Sequence, residues 1–274
     1  MNFLQKVLSN LHEANERGSQ LKSVVLFSRV YGKKRKHLLD TVKSEVTSMI
    51  DELDVRLARF GTDKNGHLSL GFDGQDSEFA INYLVKKYGK SIRLENVKEG
   101  AILPGSFLDV GKVGYGLYVD IAAISTKRVD VLIPLHHIRE QFSFRKPLRT
   151  IAKTLVFVDN LPVDVKITSV DSRANKIEGE LAQNTIIRFE EWMQDDHERL
   201  LVFGANLDMI EIALRKTRHL EDIYEFEELG KFEYSLCCKR TTRASGIVAA
   251  IGPKLRGIPM HLFIPKEIEA NLRG

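Results

Sequence analysis

Twice in this chain, once toward each end, strand-like and helix-like segments follow one another in the order βαββαβ. The first copy reads as a strand over 24–27, a helix from about 34 to 53 and a strand over 55–60. After the turn Asp63-Lys64-Asn65-Gly66 come a strand over 67–72, a helix opened by Asp76 or Ser77, and a short strand over 92–94. In the second copy a strand over 199–203 leads into a helix carrying Leu207, Ile210 and Leu214. Strands around 224–227 and 232–238, a helix across 245–255 and a strand over 260–264 complete it. Alternation at period two marks the strands and recurrence at three to four residues marks the helices. That order predicts, at each end, an antiparallel sheet with two helices on one face, the ferredoxin-like split βαβ.

Between the copies, residues 96–182 are strand-rich, with five strands expected over 101–113, 115–124, 129–134, 162–170 and 175–181 and a helical patch near 136–142. Five short strands so placed suggest a small OB-type Greek-key barrel. The expected organisation is therefore α+β and multidomain. An amphipathic packing or dimer helix occupies 1–22, with Phe3, Leu4, Val7, Leu8 and Leu11 on one side. A ferredoxin-like domain follows over 23–95, the barrel over 96–182, a helical linker over 183–198 with Trp192 as interdomain packing, and a second ferredoxin-like domain over 199–274.

The stretch VGKVGYGLYVDI, residues 110–121, tests whether glycines grip a phosphate here. A phosphate loop places its last glycine at a helix start and closes with Lys followed by Ser or Thr. The residues after Gly116 are instead strand-like, with Leu117, Val119 and Ile121 on one face and Tyr118 and Asp120 on the other. These glycines read as turn punctuation in a β-hairpin that presents aromatic rings.

With 41 basic and 37 acidic residues in 274, net charge is +4, mildly basic and compatible with a nucleic-acid partner. No apolar run reaches the roughly 18 to 20 residues a membrane helix needs, and the polar N-terminus does not read as a signal peptide. Cys237 and Cys238 are adjacent in a strand, so they point to opposite faces and are expected to stay reduced, as in a cytoplasmic protein. No metal-ligand spacing, catalytic signature or cofactor motif stands out, so the expectation is a protein without cofactor or metal that is not an enzyme.

Three basic runs are candidate anion surfaces. Lys33, Lys34, Arg35 and Lys36 sit where a strand gives way to a helix, and each basic residue that neutralises a phosphate releases counterions. Arg139, Arg145, Lys146 and Arg149 lie on the connection between barrel strands three and four. Arg240, Thr242, Arg243 and Ser245 precede the last helix, where exposed N–H donors can hold a phosphate or carboxylate, although Thr242 and Ser245 are also good helix caps.

Lys98-Glu99-Gly100, Gly105, Tyr115 to Asp120, Val131-Leu132-Ile133-Pro134-Leu135 and the hairpin over 165–181 together resemble the S1 RNA-binding domain. The whole chain is similar to an archaeal family with a central S1-like segment, the stretch over 245–255 being part of that likeness. The resemblance implies base stacking on Tyr115 and Tyr118, with Lys112 beside them, and a single-stranded or structured RNA partner in a ribosome or RNA polymerase context. Pro134 stands where the family often carries histidine, and Asp130-Val131 replaces its usual glycine. Two other readings arise from these residues: a protein-docking scaffold that has lost RNA contacts, and a sensor or enzyme for a phosphorylated ligand at 241–246.

Overall fold

The computed structural model describes residues 21–125, 128–171 and 174–273. The helix expected over 1–22 lies outside them except at its last two residues, and there Lys22 already begins a strand.

The N-terminal module comprises β1 (Lys22–Arg29), α1 (Arg35–Met49), β2 (Val55–Thr62), β3 (His67–Gly74) and α2 (Ser77–Tyr88). Its antiparallel sheet has the order β1-β3-β2. Leu38, Val42 and Val46 on α1 and Ala80, Leu84 and Tyr88 on α2, each set at four-residue steps, form buried stripes. They cover Leu26, Leu68, Leu70 and Phe72 of the sheet. The Asp63 carboxylate accepts the amide N–H groups of Asn65 and His67, which fixes the β2–β3 turn. The fourth strand expected in this sheet does not join it. Among the described residues only an isolated bridge, Leu26 to Lys90, touches the β1 edge, and β4 (Ile92–Arg93), after Ser91, runs parallel to a strand of the neighbouring module.

That module contains β5 (Ile102–Leu108), β6 (Gly116–Asp120), β7 (Ala123–Ile124), the partner of β4, and β8 (Val131–Pro134). Two short helices, α3 (Leu135–Gln141) and α4 (Leu148–Thr154), precede β9 (Pro162–Asp171) and β10 (Lys176–Leu181). The five long strands close in the order β10-β8-β6-β5-β9, with only β8 and β10 parallel, consistent with an OB-like barrel. Closure leaves no unpaired edge, and Phe107, Leu117, Val119, Val131, Ile133, Val165 and Ile177 fill the interior.

Helix α5 (Gln183–Gln194), in the segment expected to be a linker, packs into the same core. Phe189 meets Phe157 at 5.1 Å and Trp192 at 5.5 Å between ring centroids, and Trp192 meets Phe263 at 5.2 Å.

The C-terminal module follows as β11 (Arg199–Phe203), α6 (Leu207–Thr217), β12 (Ile223–Gly230), β13 (Glu233–Cys238), α7 (Ala244–Ile251), β14 (Met260–Phe263) and α8 (Pro265–Arg273). Its antiparallel sheet has the order β12-β13-β11-β14, and its central strands β13 and β11 are buried on both sides. Leu200, Val202, Leu236 and Cys238 face α6 and α7, while Leu201, Phe203 and Phe263 enter the barrel core. Alternation along each strand assigns the two faces to two different cores. Cys237 and Cys238 are both buried free thiols, the second pushed up to about 12 by burial. Among the described residues no helix is long and apolar enough to cross a membrane.

Candidate nucleic-acid interface

Strand β6 leaves the hairpin at Gly116, where any side chain would strike the Ile133 carbonyl oxygen about 2.5 Å away. Glycine therefore lets β6 lie close against β8, and that register turns Tyr118 outward opposite Leu132. Tyr115, 57% exposed, sits just before the strand, held by its carbonyl accepting the Leu135 N–H at 2.8 Å. The two hydroxyls are 2.8 Å apart and the rings meet edge to face at 6.5 Å. That hydrogen bond, followed by partial burial, raises the Tyr118 pKa. The pair is an aromatic corner whose Tyr115 ring is largely exposed, a shape suited to stacking a base.

Charge around this corner is balanced. Lys112 is engaged by Asp109 at 2.7 Å, and Arg128 by Asp130 at 3.1 Å. Burial raises the Asp130 carboxyl against the pull of Arg128. On the next strand Glu178 lies opposite Leu132, and Glu180 holds Lys166 at 2.9 Å.

The other basic residues fall into separate groups. Lys33, Arg35 and Lys36 are exposed and Lys34 partly so; Arg35 donates to Thr62 and the stem of Lys33 lies against Gly257. Arg139 donates through Nε to the Lys146 carbonyl at 3.0 Å, and Arg145 is exposed beside it. Arg149 instead lines a groove shared with Glu267 and Asn271 of α8. At the start of α7 the anion is internal: Glu198 accepts the Ala244 N–H at 2.8 Å and pairs with Arg243 at 2.6 Å. The first-turn donor expected to meet a ligand beside Arg240, Thr242, Arg243 and Ser245 is thus already taken by a carboxylate from β11's approach, forty-six residues away in sequence.

Sequence reasoning missed a buried polar seam between modules. Asp120, 3% exposed at the end of β6, is reached by His67 Nε2 at 3.3 Å, Arg29 at 3.4 Å, Arg128 at 3.5 Å and the Ala122 N–H at 2.9 Å. Burial pushes its carboxyl up, but His67, the Ala122 amide and Arg29 together hold it below the ordinary value. Further along, the Tyr31 hydroxyl donates to Glu233 of β13 at 2.6 Å. No local motif marks these residues, because Arg29 and His67 reach Asp120, and Tyr31 reaches Glu233, from another module.

Among solved structures, an uncharacterized protein from Methanocaldococcus jannaschii aligns at 14% identity and a TM-score of 0.23, covering 32% of this chain and 96% of that one. A chain of the a/eIF2alpha-aDim2p-rRNA complex from Pyrococcus horikoshii aligns at 13% identity and a TM-score of 0.25, covering 44% of this chain and 64% of that one. Both scores are too low to carry an argument about fold or function. A search of curated proteins returns no match. Family models match in chain order: the DUF2110 N-terminal domain over 23–93, the DUF2110 central domain over 97–193 and the DUF2110 C-terminal domain over 197–262. With its three modules matched one after another, this chain belongs to the three-domain DUF2110 family.

Proposed function

We propose that this protein is a non-enzymatic RNA-binding factor, acting in a ribosome or RNA polymerase context, whose S1-like barrel stacks bases of single-stranded RNA on Tyr115 and Tyr118. The flanking modules, read as ferredoxin-like, supply backbone contacts through Lys33 to Lys36 or a protein interface. One observation carries the reading: an exposed, hydroxyl-locked tyrosine corner on the β6–β8 face of a closed five-stranded barrel. Stacking tolerates any base, so the expected binding is sequence-tolerant.

The test is anisotropy of a short fluorescent single-stranded RNA across a salt series. Tyr115→Ala/Tyr118→Ala is expected to lose about 1 to 3 kcal/mol per stacked base. The salt slope is expected to stay near −0.7 per neutralised phosphate, because the mutation removes rings and no charge. Absence of wild-type binding even at low salt would sink the reading. A second reading, protein docking, is favoured by Pro134 and by the balanced charge around the corner, where Asp109 and Asp130 already occupy Lys112 and Arg128. Equal RNA binding by wild type and the double variant assigns the tyrosines to that role.

A further inference from the structure

The three modules meet around a cavity of about 320 Å³ that none of the sequence motifs marks. Cationic side chains reach it from each module: Arg29 and Lys87 from the N-terminal module, Arg188 from α5, and Lys231 from the β12–β13 turn. Three of them have carboxylate partners, Arg29 with Asp120, Lys87 with Glu45 and Lys231 with Glu228. Arg188 has no ion pair among the described residues. Its guanidinium donates to the Pro162 carbonyl oxygen and lies 5.6 Å over the Trp192 ring. Arg199, on the same indole, is by contrast paired with both Asp195 and Glu227.

The Nε atoms of Arg188 and Arg29 are both buried without an acceptor. A buried guanidinium lacking an anion is costly, and Arg188 is such a group, while Arg29 keeps an unfilled Nε donor beside its ion pair with Asp120. Of the carboxylates that line it, Glu228 is held by Lys231, Asp164 accepts from Asn184, and Glu233 accepts from Tyr31 and the Phe232 amide. None of these carboxylates satisfies the two free Nε donors. Burial lowers the Arg188 pKa while Glu227 and Asp164 oppose that from a distance, as expected for a cation short of a direct partner.

We propose that this three-module cavity binds a small phosphate-bearing molecule, with Arg188 and Arg29 as the guanidinium ligands of its phosphate. A phosphate offers several acceptor oxygens to guanidinium forks, which a single carboxylate of the chain does not reach here. The volume lies at the low end for ligand cavities, the range of a nucleoside monophosphate. Because all three modules contribute walls, the ligand fastens them to one another. This site is separate from the tyrosine corner and stands whether or not RNA binds there.

Trp192 is the one tryptophan in the sequence, so its fluorescence reports on Arg188 directly. The full chain is titrated with AMP, inorganic phosphate and adenosine while Trp192 emission and the melting temperature are followed. AMP and phosphate are expected to give saturable emission changes and raise the melting temperature by mass action, and adenosine neither. Arg188→Gln is expected to weaken AMP at least about tenfold and Arg188→Lys to recover part of the loss, as a guanidinium site predicts. Lys231→Gln, at a more exposed wall, is expected to weaken it as well and serves if Arg188 variants do not fold. Tyr115→Ala/Tyr118→Ala is expected to bind AMP normally, which separates this site from the RNA surface. No response to AMP or phosphate at millimolar concentrations, an equal response to adenosine, or undiminished binding by Arg188→Gln and Lys231→Gln overturns the proposal. A response only to a 5′-phosphorylated oligoribonucleotide also overturns it, assigning the cavity to RNA.

Discussion

Asp120 and Glu233 are both buried carboxyls, yet their surroundings drive them in opposite directions. Asp120 is held ionised by His67 and Arg29, so its contribution is present above the ordinary carboxyl range and is lost as pH falls through its lowered pKa. Asp120→Ala strands Arg29 and His67 at the seam and is expected to cost about 3 to 5 kcal/mol in urea denaturation, with Asp120→Asn costing less. Glu233, 8% exposed, is raised to about 7, chiefly by burial, against hydrogen bonds from Tyr31 and the Phe232 amide. A carboxyl raised on folding favours the protonated native state. Its contribution is whole below the unfolded pKa and is lost as pH climbs through about 7, a change of ~3 kcal/mol. Between about pH 5 and about pH 8, wild type is therefore expected to lose more stability than Glu233→Gln; equal losses would show that the carboxyl titrates normally. The tyrosine corner was legible in the sequence because strand alternation and the glycines place Tyr118 outward. The seam was not, since Asp120 and Glu233 meet Arg29, His67 and Tyr31 only once the three modules dock. Glu198 escaped notice because it meets the α7 start from forty-six residues back in the sequence, although the α7 start it caps was readable.

Elements with a strong period were legible nearly to their ends, β11 and the β9–β10 hairpin among them. Helix α4 is seven residues long within a basic stretch, too short to show a period, and it went unseen. Strand β4 was read correctly as extended, but its partner was not. The two-residue ladder to β7 is a choice made by the barrel's position, and it leaves the N-terminal sheet with three strands. Helix α5 shows how packing overrides sequence placement. Ile186, Phe189 and Trp192 recur at three-residue steps on one face, which marks an amphipathic helix without saying which core receives it. Phe189 touches aromatic rings from α3's end, the β9 approach, α5 itself and β14. Phe189→Ala is expected to cost about 3 to 5 kcal/mol, read from thermal or urea unfolding; a loss under about 1 kcal/mol would mean the helix is a detachable linker after all.

At the scale of the molecule, the C-terminal sheet belongs to two cores at once, and a barrel without it would expose the apolar surface that Leu201, Phe203 and Phe263 cover. The barrel and C-terminal module are expected to melt as one transition in calorimetry, with the calorimetric and van't Hoff enthalpies in agreement. Two resolved transitions assigned to 97–194 and 199–273 would contradict the shared core. The sharing also sets an order of events at birth. As the chain is made from its N-terminus, the barrel strands and α5 are complete before Phe263 and Ile268 exist. At ~5–20 residues per second that interval lasts roughly 4 to 15 s. For those seconds the nascent barrel carries an open aromatic wound at Phe189 and Trp192, the time and place at which a holding chaperone has something to grip.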